Sequence, residues 1–177
     1  PSADLARRVA AAAEVSRRDL AIRWLGHPMP CWASPCRIRM RPDRLAAGGA
    51  TTFSFQRGEA FGWQMLLQGP EQQVLDSILP HEITHTILAC RFRRPLPRWA
   101  DEGAATLAES TGERRRQQAM IRQLLETGRQ LPLSQLLAIG EYPTARSGVT
   151  RLYAQGASLV AYLVHLGGHA RFLKFLD

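Results

Sequence analysis

His81, Glu82 and His85, in the stretch Leu79-Pro80-His81-Glu82-Ile83-Thr84-His85, are the residues of this chain whose types and spacing suit metal chemistry. On a helix, His81 and His85 project from one face, one turn apart, with Cβ atoms about 5–6 Å from each other, so two imidazoles can share one ion. Glu82 lies about 100° round the helix from His81, outside the same ligand set yet close enough to hold a water on the metal. This is the division of labour of a metal-assisted hydrolysis, although an amphipathic helix also produces H-E-x-x-H by chance. A third ligand decides between the two, because catalytic zinc takes three protein ligands and keeps one position open. Glu102, in Trp99-Ala100-Asp101-Glu102-Gly103, is the best-placed donor, on a helix that follows a proline-bounded turn. Asp101 competes with it directly and Glu109 lies two turns further on. A carboxylate near a helix start can also be no more than a partner of the helix dipole.

The elements around these residues are legible from periodicity. Leu5, Val9, Ala12, Ala13, Leu20 and Trp24 recur at helical spacing, which predicts a packing helix over residues 3–24, broken by Gly26-His27-Pro28. His27 reads as an exposed loop histidine. Arg37-Ile38-Arg39-Met40-Arg41 alternates as a half-buried strand, and residues 51–56 and 61–68 supply two more, with turns at Gly48-Gly49 and Gly58. A long helical pattern then runs from Glu71 through the motif to Leu88. Pro80 disturbs it, since proline removes a hydrogen bond and clashes with the carbonyl of Asp76; either the helix kinks before the motif or a new one starts there. Pro95 and Pro97 end that helix. Further helices are expected in the segment that carries Glu102, with helix-compatible residues to about Glu109, from Glu113 to Thr127, briefly after a Ser134 cap, and from Thr150 to Leu166, with Gly167-Gly168 setting off His169–Asp177 and Tyr142–Gly148 as a loop.

Hydrophobic residues make up 45% of the 177 positions, enough for a real core, and 21% charge does not suggest disorder, so one domain over residues 1–177 is the expectation. The chain begins at Pro1 without a methionine and ends in a helical pattern, as an excised piece of a longer protein would. Nowhere do eighteen apolar residues run together, so no transmembrane segment is expected. The net charge of +8 is arginine-based, with Lys174 the only lysine. Such a balance suits an anionic surface or polymer. The arginines are scattered and not interleaved with aromatics, so no specific nucleic-acid partner is expected. Cys31 and Cys36 flank a short loop that would suit either a disulfide or two thiols, with Cys90 left over; a disulfide would fit an extracytoplasmic or secreted setting.

HEITH followed after sixteen residues by Glu102, with Trp99 three positions before it, resembles the gluzincin zinc metallopeptidases of the thermolysin-like superfamily, and more closely the short bacterial peptidase MA-like domains. The likeness extends from Ala3 to Leu176: a leading helix, a short sheet, a motif helix, a glutamate helix and a late helix bearing a tyrosine. It implies an α+β, zincin-like fold, with a small sheet of three or more strands packed on the motif helix and a mostly helical C-terminal half. It also implies Zn2+ held by His81, His85 and Glu102, Glu82 as general base, and a peptide or protein substrate. Tyr153, in Leu152-Tyr153-Ala154-Gln155-Gly156, matches the position that in many relatives donates a hydrogen bond to the developing oxyanion; His165 is the alternative donor. The strand from Trp63 to Gln68 matches the edge strand that pairs with extended substrate in relatives. Two positions depart from the pattern. Glu102 follows His85 sooner than in the best-known gluzincins, and Thr106 stands where many relatives carry an aspartate that orients a ligand histidine. The second departure leaves room for a catalytically weak or inactive zincin-like domain used for binding or scaffolding.

Overall fold

A computed structural model describes residues 2–32, 34–42 and 47–177. The chain is α+β and forms two compact units, Pro1–Arg94 and Pro95–Asp177.

In the first unit, helix α1 spans Ala3–Leu25. Ser2 caps its start by accepting the Leu5 N–H at 3.2 Å, and Gly26 ends it in the left-handed region (φ 82°), a conformation that glycine adopts without steric cost. Val9, Ala13, Leu20, Ala21 and Trp24 form the buried stripe. The sheet follows as β1 (Arg37–Pro42), β2 (Gly48–Gln56) and β3 (Glu59–Gly69). Its order is β1-β3-β2, with β1 parallel and β2 antiparallel to β3. Arg57 and Gly58, both at positive φ, close the β2–β3 hairpin in the twist that suits right-handed strands. Along β3, Trp63, Met65 and Leu67 are buried, which gives the sheet one apolar face.

Two sequence expectations are corrected by this topology. Gly48 and Gly49 lie inside β2 and do not form a turn. The strand containing Trp63–Gln68 is the central one, paired on both sides, so it cannot be the free edge that receives an extended peptide. Alternation shows which face of a strand is buried but not how many neighbours the strand has, and here β1 joins β3 across an intervening hairpin.

The motif helix is reached through a short helical turn, α2 (Glu71–Gln73), and a π-helical turn at Val74–Ile78. Helix α3 then runs Leu79–Phe92 with Pro80 in its first turn. The difficulty posed by Pro80 is met by widening: the Leu79 N–H reaches back five residues to the Val74 carbonyl, so the chain passes the proline in a continuous helical path. Arg93, at φ 53°, terminates α3 by donating its N–H to the Ala89 carbonyl at 2.9 Å. His81 through Ala89 are all buried, as a helix enclosed by its surroundings requires; α1, β2 and β3 pack against it.

The second unit holds α4 (Arg98–Thr106), α5 (Thr111–Glu126), α6 (Leu133–Leu137) and α7 (Arg146–Leu176). Helix α7 contains a break at Gly168 (φ 75°, ψ 170°), where the glycine pair predicts one. The cap of α6 is Pro132 and not Ser134, which lies within the helix. Helix α7 packs on α4 and α5. At the α4–α7 crossing two glycines face each other: a Cβ on Gly103 would stand 2.6 Å from the carbonyl carbon of Gly156, and one on Gly156 would stand 2.7 Å from the Trp99 carbonyl oxygen. Side-chain-free positions let the two backbones touch. Among the described residues, no helix is long and apolar enough to cross a membrane.

Candidate metal centre

Helix α3 supplies the first half of the site. His81 and His85 stack along it with ring centroids 4.9 Å apart and planes at 73°, as the four-residue spacing demands. Glu82 is buried on the same helix and is gripped by the neighbouring edge strand. The Thr51 hydroxyl, on β2, donates to Glu82 Oε2 at 2.6 Å. Gly49, two residues earlier and on the same face of the strand, leaves the space that the carboxylate occupies: a Cβ there would lie 2.7 Å from Glu82 Cγ. The π-turn and Pro80 lie immediately before this group.

Helix α4 carries the third donor. Glu102 is fully buried, whereas Asp101 is half-buried, with its carboxylate 4.0 Å from Arg98, and Glu109 lies beyond the end of α4. The Tyr142 hydroxyl donates a hydrogen bond to Glu102 Oε1. The Arg98 guanidinium stands over the Tyr142 ring, 4.4 Å from its centroid. Burial, and then the negative charge of Glu102, hold the Tyr142 phenol well above the usual tyrosine range, so this tyrosine stays a proton donor.

His81, His85 and Glu102 come together: each offers a ligand atom, and these atoms all lie within 4.8 Å of one another. The three residues are 7%, 9% and 0% exposed, so the group is shielded from water. Two imidazole nitrogens and one carboxylate oxygen form a donor set used by catalytic zinc. The group could therefore hold a metal ion.

The remaining candidates divide. Tyr153 is half-buried on α7, one turn before Gly156, and hence beside the crossing that carries Gly103 and its neighbour Glu102. His165 is exposed on the same helix. Thr106 is fully buried, and its hydroxyl has no hydrogen-bond partner among the described residues. Cys31, Cys36 and Cys90 are free thiols, and burial raises the pKa of the last two. A cleft of about 960 Å3 in the first unit, walled in part by the stacked pair Trp32 and Trp63, is not lined by His81, Glu82 or His85.

Thr51 and Tyr142 are the site neighbours that sequence reasoning did not single out. Thr51 had a faint signal, a hydroxyl residue two positions after a glycine in a strand. Tyr142 had only its place before Pro143, in a segment without periodicity. No family model matches the chain, and no curated protein or solved structure matches it at a significant level.

Proposed function

We propose that this chain is a zinc-dependent hydrolase of peptide bonds, of the gluzincin type, on a small zincin-like domain. The observation that carries the reading is the buried His81, His85 and Glu102 group with Glu82 next to it in sequence. Two histidines and a carboxylate also suit iron, but a buried carboxylate held beside the ligands is what a hydrolytic reaction needs. Zinc bound there supplies Lewis acidity toward the scissile carbonyl and toward water.

The chain's own residues do the rest. Glu82 takes a proton from the attacking water on its carboxylate and delivers it to the leaving amine nitrogen. The Thr51 hydroxyl holds Oε2, which fixes the direction in which the other carboxylate oxygen faces. Tyr153 donates its hydroxyl proton in a hydrogen bond to the oxyanion, from the turn of α7 beside the α4 crossing. With β3 in the centre of the sheet, the strand that receives an extended peptide is β2, an edge strand that also carries Thr51 and Gly49 against Glu82.

The test combines metal analysis with turnover on a broad peptide library. The purified chain is expected to hold one zinc and to cleave. His81→Ala should lose the metal, and Glu82→Gln should keep it while losing activity. Full zinc content in His81→Ala would sink the ligand assignment, and an unimpaired Glu82→Gln enzyme would sink the mechanism. A chain that holds one zinc yet cleaves nothing would be a binding or scaffolding domain instead.

A further inference from the structure

We infer that Tyr142 is a positioning residue for the metal ligand Glu102; the inference rests on the metal reading above. A carboxylate ligand works best when one oxygen is anchored and the other is left for the ion, because ligands fixed in orientation lose less freedom on binding. The Tyr142 hydroxyl donates to Glu102 Oε1, so one oxygen of a fully buried carboxylate is already held.

Tyr142 is itself fixed from two sides. Arg98, one turn before Glu102 on α4, covers the ring face with its guanidinium. Pro143 is seated on the first turn of α7, where Gly148 leaves it room: a Cβ on Gly148 would lie 2.6 Å from Pro143 Cβ. The loop between α6 and α7 is thus anchored at the residue following the tyrosine. Thr106 lies four residues after Glu102 on α4, yet its hydroxyl has no hydrogen-bond partner among the described residues. The hydrogen bond that holds Glu102 comes from a loop residue forty positions away in sequence.

The test is zinc affinity, measured on the full metal-stripped chain by competition with a chromophoric chelator, alongside the visible spectrum of the cobalt-substituted protein. Tyr142→Phe keeps the ring under Arg98 and removes only the hydroxyl. It should bind zinc about 10–100-fold more weakly than the unaltered chain and shift the cobalt bands. The metal-free protein should stay folded but melt several degrees below the parent, because a buried carboxylate loses one hydrogen bond; the shifted cobalt spectrum is the readout that a purely structural tyrosine would not move. Arg98→Met, which frees the ring but keeps the hydroxyl, should weaken binding in the same direction by less. A folded Tyr142→Phe protein with affinity within twofold of the parent and an unchanged cobalt spectrum would overturn the inference. If the parent chain holds no zinc, or His81→Ala retains it, the metal reading falls first and the inference with it; neither result involves Tyr142.

Discussion

Gly103→Ala isolates the contact that sets the glutamate helix in place. The new Cβ would stand 2.6 Å from both the Gly156 carbonyl carbon and Val160 Cγ2. Carbon atoms rest about 3.5–4.0 Å apart, so the two helices must part by roughly 1 Å. One of the blocking atoms is backbone and cannot rotate aside. Overpacking of this kind costs about 1–3 kcal/mol. Against it stands a helix-propensity gain of about 1 kcal/mol for replacing glycine by alanine. The clash wins, by about 1 kcal/mol at mid-range, which for a chain of this length lowers the melting temperature by about 2–4 °C. The assay is thermal unfolding of the metal-free protein by circular dichroism, with Gly112→Ala as its counterpart. Gly112 sits in the first turn of α5, and the nearest atom to a Cβ there is Ser110 Oγ at 3.7 Å, an ordinary contact. That variant should gain about 0.4–1 kcal/mol by restricting the unfolded chain. If Gly103→Ala melts at or above the parent, the two helices do not meet backbone to backbone and the placement of Glu102 needs another cause.

Other expectations are more local. Thr51→Val removes a hydrogen bond to a carboxylate, worth about 1.5–3 kcal/mol, and should cut turnover on the order of tenfold or more at unchanged zinc content. Thr51→Ser should restore most of it, and equal rates for Val and Thr would show that Glu82 is held by something else. Gly49→Ala should displace the Glu82 carboxylate sterically and depress turnover as well, with little effect on zinc affinity. In alkaline ultraviolet titration of the metal-free protein, the difference between the parent and Tyr142→Phe should appear above the usual tyrosine range, because burial and Glu102 raise that phenol. The stability held by the protonated phenol is present at pH values below the normal tyrosine pKa and fades only as pH rises past it. Thiol labelling should reach exposed Cys31 before Cys36 and Cys90, whose thiolates are disfavoured by burial.

Much of this was readable in the sequence because the features concerned are local. His81 and His85 share a face for the same reason that they are four residues apart. Glu102 stood out from Asp101 and Glu109 by its place on a helix after a proline-bounded turn, and full burial is what separates it from them physically. Helix α1, the three strands and the Gly168 break follow from short-range periodicity and glycine chemistry. The edge strand was misassigned because its place came from a resemblance that alternation could not check: alternation reads the same in a central strand and in an edge strand, while order in a sheet is a property of distant partners. Tyr142 was passed over for a related reason, since a loop residue carries no periodic mark of what its side chain meets.

Pro80 joins the readable and the unreadable parts. Its position four residues after Asp76 announces that a regular helix cannot pass, but two remedies, a kink or a fresh start, satisfy that constraint equally well on paper. The π-turn at Val74–Ile78 is a third: one extra residue per turn moves the offending carbonyl and rotates the following helix by about 100° relative to the preceding turn. Val74, Ser77 and Ile78 stay buried through the turn, so its apolar side remains in the core while α3 enters in a new phase. That phase decides which α3 residue meets β2, and it is Glu82 that meets Thr51 and Gly49. Removing the proline alone therefore should not straighten the segment: the buried residues of the π-turn still anchor its register. Pro80→Ala should leave zinc affinity nearly unchanged, whereas deleting one residue from Val74–Ile78 should turn Glu82 away from Thr51 and abolish turnover. Retained turnover in the deletion variant would mean that the phase of α3 is set downstream of Pro80, by the packing of His81–Ala89 alone.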